Sequence, residues 1–112
     1  MTQFDRLAEL EAARNMSAGD KVRAAAKQIN AIKAGFLAER AKIYGETRDW
    51  RTAEAEVNVI RRRAKEDLQK IVDATMPAVK DNLALSDELY YSAQNVENYG
   101  SLERLAMNYD AE

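Results

Sequence analysis

Cysteine and histidine are both absent from this chain, and proline occurs once. Their absence excludes disulfides, a thiol nucleophile, Cys/His zinc sites, histidine-ligated haem and every triad that turns on an imidazole. Long apolar runs are missing too: no stretch approaches the ~18 residues a membrane span needs. The opening Met1-Thr2-Gln3-Phe4-Asp5-Arg6-Leu7 lacks the charged segment and following apolar stretch of a cleaved signal peptide. Synthesis in the cytoplasm is therefore the expectation, and a cysteine-free composition fits a reducing compartment. A global excess of positive charge is also lacking. With a net charge of -2, the basic signature of a nucleic-acid-binding domain is not there.

What is present is 112 residues, 46% hydrophobic and 32% charged, enough for one domain (1–112) with a single core. Charge is unevenly placed along it. Up to Val72 there are 15 Lys/Arg and 11 Asp/Glu, and from Asp73 onward 2 and 8. A +4 segment followed by a -6 segment predicts pairing within one chain, or complementary contacts between subunits.

Apolar spacing and capping residues predict an all-α protein with helices over 3–14, 20–44, 49–75, 77–98 and 102–109. Thr2 and Asp5 open the first helix, and Ser17 or Asp20 caps the second after a turn at Asn15 to Gly19. Gly35 costs a helix only about 1 kcal/mol relative to Ala. Gly45 to Asp49 is the next turn. Met76-Pro77 reads as a break, because proline pushes its predecessor out of helical geometry yet suits a first helical turn. Gly100-Ser101 sets off the last helix. Strand alternation is absent.

The two long helices carry a heptad pattern. Val22, Ile29, Phe36 and Ile43 recur every seven residues, with Ala25 and Ile32 beside them. Trp50, Val57, Ala64 and Ile71 continue the series, with Ala53 and Ile60. Because Ile43 and Trp50 are also seven apart, one rod from Asp20 to Thr75, about 80 Å long, is an alternative. Charge favours a coiled-coil-like antiparallel hairpin folded at Glu46-Thr47. That fold sets Ile43 near Trp50, Phe36 near Val57, Ile29 near Ala64 and Val22 near Ile71, and Arg40 and Lys42 beside Glu54 and Glu56.

At the open end of such a hairpin, Lys21 and Lys33 face Arg61, Arg63 and Lys70. The third helix starts there and is acidic, with Asp81, Asp87 and Glu88. Its apolar set of Val79, Leu83, Leu89 or Tyr90, Ala93 and Val96 gives it a face to lay across the hairpin. The expected architecture is thus a long helical hairpin, a third packed helix covering its basic end, and short terminal helices.

Candidate functional residues are few. Arg61, Arg62, Arg63 and Lys65 form the one dense basic cluster, which Arg51, Asn58 and Gln69 extend toward a phosphate-binding stripe. Surface pairing of Arg62 with Glu66, Arg63 with Asp67 and Glu66 with Lys70 is the favoured reading. Trp50 is a candidate partner anchor, although its register argues for filling the end of the hairpin core. Tyr90, Tyr91, Tyr99 and Tyr109 cluster in the acidic third, where Asp87, Glu88 and Glu97 would repel phosphates. Protein contact or core packing suits them better than stacking on bases.

The turn Tyr44-Gly45-Glu46-Thr47-Arg48-Asp49-Trp50-Arg51-Thr52 resembles that of small secreted helical-hairpin proteins, which carry Trp-X-Gly; here the glycine is missing. Tyr99 and Glu103 match that family's Tyr-x-x-x-Asp/Glu tail element. The likeness is confined to these positions and assigns no membership, but it implies export without a signal peptide as one reading.

No phosphate loop, nucleophile elbow or calcium loop occurs. Neighbouring carboxylates such as Glu54/Glu56 and Glu66/Asp67 point in different directions on a helix. No catalytic, cofactor-binding or metal site is expected, nor a membrane or small-molecule partner. The reading is a non-enzymatic helical assembly or adaptor protein that self-associates or bridges partners, as a scaffold or an accessory component of a bacterial or viral particle. Leu68, Val59, Val72 and the tyrosine-rich tail would form its contact surface. A nucleic-acid-associated regulator, a secreted hairpin and an acidic inhibitor mimicking nucleic acid are the alternatives.

Overall fold

The computed structural model describes residues 17–109, which form four helices: α1 (Ala18–Glu46), α2 (Trp50–Val79), α3 (Leu83–Gln94) and α4 (Leu102–Met107). The chain is all-α, with two long helices packed together and a third laid against them. The helix expected over 3–14 lies outside the described residues.

Each boundary has a local cause. Ser17 caps α1, its Oγ accepting the Asp20 N–H at 3.1 Å. Asp20 in turn holds Arg23 at 2.7 Å, and hydrogen bonds from Arg23 and then Ser17 keep its carboxyl below the usual range. The chain reverses at Thr47-Arg48-Asp49. Asp49 caps α2 by accepting from the Arg51 N–H at 3.2 Å and the Thr52 hydroxyl at 2.8 Å. Residues 20–75 are therefore a hairpin and not a rod.

Four expected boundaries are corrected. Met76-Pro77 does not end α2, which runs through Pro77 to Val79. So close to the helix end, proline costs one hydrogen bond on an exposed turn, while Thr75 and Val79 continue the buried face. The break falls instead at residues 80–82. There the Asn82 N–H and the Ser86 hydroxyl both donate to the Val79 carbonyl, at 2.9 and 2.7 Å, and the Asn82 side chain caps α3. The third helix is accordingly Leu83–Gln94, shorter than 77–98, and residues 95–101 form a loop. The last helix ends at Met107 rather than 109.

The buried seam of α1 contains Val22, Ile29 and Phe36 as the heptads predict. On α2 the seam departs from the heptads. Val57 and Ala64 are buried, but Ile71 is only half-buried, and Leu68 and Val72, expected to face another chain, are fully inside. A straight α-helix drifts about 20° per heptad, and α3, packed on α2, widens the buried arc on that side. Within α3, Leu85, Leu89 and Ala93 point inward, whereas Leu83, assigned to the packed face, is 75% exposed.

Contacts run in a ring: α1 on α2, α2 on α3, α3 on α4 and α4 on α1. The ring exists only at the open end of the hairpin, since the 12-residue α3 is about 18 Å long against about 44 Å for each long helix. The Cα radius of gyration is 16.6 Å, where a compact chain of this size would have about 12–13 Å. The surplus is the projecting closed end.

Candidate functional site

The loop after α3 marks where the cover stops. Glu97 sits between two arginines, its carboxylate 2.7 Å from Arg61 Nε and 3.9 Å from Arg40 Nη1. Both guanidiniums lie over the Phe36 ring, at 5.8 Å for Arg40 and 5.6 Å for Arg61. Arg40 therefore does not pair with Glu54 as expected across the hairpin. Glu54 instead accepts the Tyr44 hydroxyl, and this bond holds the Tyr44 phenol above the usual tyrosine range. Among the described residues Lys42 and Glu56 make no ion pair within 4.0 Å.

Beneath the loop lies Lys33. By sequence it flanks the seam opposite the cations of α2, yet it is 1% exposed and its Nζ donates to the Asn98 carbonyl at 2.6 Å. Burial pushes its ammonium below the usual lysine range, and the Glu88 carboxylate opposes that shift. Glu88 also accepts the Ser101 N–H at 2.7 Å, next to Gly100 in the left-handed region at φ 66°. The left-handed backbone requires glycine there, and a Cβ on Gly100 would displace the Glu88 carboxylate from its place. Further along, the Asn30 amide donates to Glu103 at 3.1 Å and Arg23 to the Tyr109 carbonyl at 3.3 Å. The acidic part covers the hairpin at Lys33, Asn30 and Arg61, through Glu88, Glu103 and Glu97, but Lys21, Arg63 and Lys70 of the expected basic end stay exposed, as do Asp81 and Asp87.

The candidate residues disperse. Arg61 is held by Glu97 and by Asn58, its Nη1 donating to the Asn58 side-chain Oδ1 at 2.6 Å. Arg62, Arg63 and Lys65 are exposed, and the expected pairs of Arg62 with Glu66, Arg63 with Asp67 and Glu66 with Lys70 are not formed within 4.0 Å among the described residues. Successive residues on a helix stand about 100° apart, so Arg61 turns to the loop, Arg63 to the opposite side of the hairpin, and Arg62 to solvent. They do not make one face.

Trp50 is 68% exposed and does not fill the hairpin end. It stands on the first turn of α2, where the three-residue reversal leaves α1 no further turn to cover it. Tyr44 is 45% exposed on the same bare end. Tyr90 and Tyr91 are exposed on α3, and Tyr99 in the loop, whereas Tyr109 is half-buried with its hydroxyl 3.3 Å from the Ala78 carbonyl. Tyr90, Tyr91 and Leu83 share one outward face of α3 with Asp87.

Neither Lys33 nor Tyr44 is a candidate site residue by sequence. The signal for Lys33 was positional, since it falls four residues after Ile29 and three before Phe36. Among the described residues no group of three or more acidic, His or Cys side chains is placed to hold a metal ion, and no helix is long and apolar enough to cross a membrane. No known family model matches the chain, and no curated protein or solved structure matches it either.

Proposed function

We propose that this protein is a non-enzymatic helical assembly or adaptor component, which works by burying leftover apolar surface against other protein chains. The observation carrying the reading is that five of the eight exposed large apolar side chains among the described residues fall in two groups, with Val59, Tyr99 and Met107 lying apart. Tyr44 and Trp50 stand at the bare closed end of the hairpin, and Leu83, Tyr90 and Tyr91 along the outer face of α3. Grouped aromatic surface of this kind is what protein interfaces use, and orienting it is the part left to the uneven charge.

The contact surface differs from the one the heptads suggested, because Leu68 and Val72 belong to the core. Light scattering on the full chain over a concentration series, at low and high salt, tests the reading. The expected result is a mass that rises above the monomer with concentration and depends on salt. A monomer at every concentration and both salts overturns self-association.

A further inference from the structure

The side of the hairpin turned away from α3 and α4 carries a second surface. On α1, Arg23, Asn30 and Lys33 reach the tail, whereas Lys21 and Ala24 lie on the opposite arc of the helix. There the two long helices enclose a trough of about 430 Å³, with Ala24, Ala25, Ile71 and Ala74 on its walls and floor. Lys21 stands on one rim and Lys70 on the other, both exposed and neither in an ion pair within 4.0 Å among the described residues. A separate depression nearer the closed end is lined by the half-buried Ile32 and Ile60 and by Glu39, Arg63 and Asp67.

The same chain carries a surface of matching chemistry on its other side. The outer face of α3 presents Leu83 at 75% exposure, Tyr90 at 61% and Tyr91 at 50%. Asp87 lies between them and Asp81 just before the helix, both exposed and unpaired within 4.0 Å among the described residues. One surface is an apolar trough between like cations, and the other an apolar ridge bearing like anions.

We infer that copies of this chain associate front to back, the outer face of α3 in one copy seating in the Lys21/Lys70 trough of the next. This rests on the assembly reading above and specifies its geometry. Charge decides between the possible pairings. Trough against trough opposes Lys21 and Lys70 to themselves, and ridge against ridge opposes Asp87 to Asp87, so the self-complementary dimers are disfavoured. Ridge into trough pairs carboxylates with ammoniums, and the alanine walls let a helix approach closely. Because ridge and trough lie on opposite sides, each added copy leaves one of each free. The contact is heterologous and propagates into a ring or an open chain.

Complementation between two exposed-site variants tests this. Tyr90→Lys spoils the ridge and Ala74→Glu the trough, and circular dichroism establishes that each full-length variant keeps its helices. Each variant alone is expected to self-associate about tenfold more weakly or worse, a loss of about 1.4 kcal/mol. Mixed, they should form a 1:1 dimer, since the intact ridge of one meets the intact trough of the other. If the unaltered chain assembles but the mixture stays monomeric, the front-to-back geometry is overturned while the assembly reading stands. Variants that associate like the unaltered chain overturn it as well. Association appearing only after residues 1–16 are removed would assign the trough to the chain's own first segment, and would also overturn it.

Discussion

The two ends of the hairpin carry similar sequence and meet different fates. At the open end, α3, the loop and α4 close a four-helix ring in which Leu85, Leu89 and Leu102 are essentially inaccessible. At the closed end the same two helices, in the same heptad register, stand alone and leave Trp50 and Tyr44 in solvent. Periodicity is common to both ends and buries Ala53 and Val57 between the long helices, yet it leaves Trp50 on the first turn of α2 in solvent. A large side chain there would need a further element to cover it, and α3 is too short to supply one along the whole hairpin.

The tail is fixed to the open end by polar contacts of an unusual kind for a surface loop. A buried ammonium meets a loop carbonyl at Lys33 and Asn98, and a carboxylate from α3 receives the Ser101 N–H. These bonds are partly buried, which raises the cost of breaking them. At the closed end the corresponding contact, from Tyr44 to Glu54, is exposed and contributes little to stability.

The contrast is broken most strongly in the core of the ring. Leu102→Ala, at a side chain with 0% exposure, should cost about 2–5 kcal/mol in urea unfolding, and the loss should fall on α3, the loop and α4 as a unit. Gly100→Ala comes next. The left-handed backbone alone costs about 1–2 kcal/mol, and displacement of the Glu88 carboxylate adds to that. Hydrogen exchange should then show the Ser101 amide unprotected while the α1–α2 turn is unchanged.

A smaller effect is read through pH. The folded-state pKa of Lys33 lies below its ordinary 10.5, so the unfolded chain binds more protons in the interval between the two values. Stability contributed at this site therefore rises with pH across that interval and levels off above 10.5. Compared with Lys33→Met by urea titration from neutral to alkaline pH, the unaltered chain should gain steadily; no change in the difference would contradict the burial. The raised Tyr44 phenol titrates in both proteins and cancels. Smallest of all is Trp50→Ala, which should shift monomer stability by no more than about 0.5 kcal/mol. A larger loss would mean that the closed end is packed after all.

Much of the fold was legible without coordinates. Ser17 reads as a cap and Asp49 as the start of α2, and the seam Val22, Ile29, Phe36 follows directly from the spacing, whereas the cap at Asn82 falls inside the helix that the sequence predicts over 77–98. Pro77 misled because a proline near a helix end removes one exposed hydrogen bond, too little to stop a helix that continues to bury Val79. The arginine pairs misled for a related reason: i,i+4 partners on a solvated helix gain only about 0.2–0.5 kcal/mol. A carboxylate far away in sequence such as Glu97, held between the two guanidiniums that lie over Phe36, has no counterpart in local spacing.

Amino-acid order by itself determined the all-α class, the two long amphipathic helices and the opposition of a cationic part to an anionic one. Those properties rest on local energetics, namely capping, backbone propensity and the period at which apolar residues recur. Tertiary structure decided which aromatics stay outside, that Lys33 is enclosed, and that an acid-bearing ridge and a lysine-rimmed trough fall on opposite sides. Each of these depends on where α3 stops along the hairpin, and that is set by packing between residues far apart in the chain.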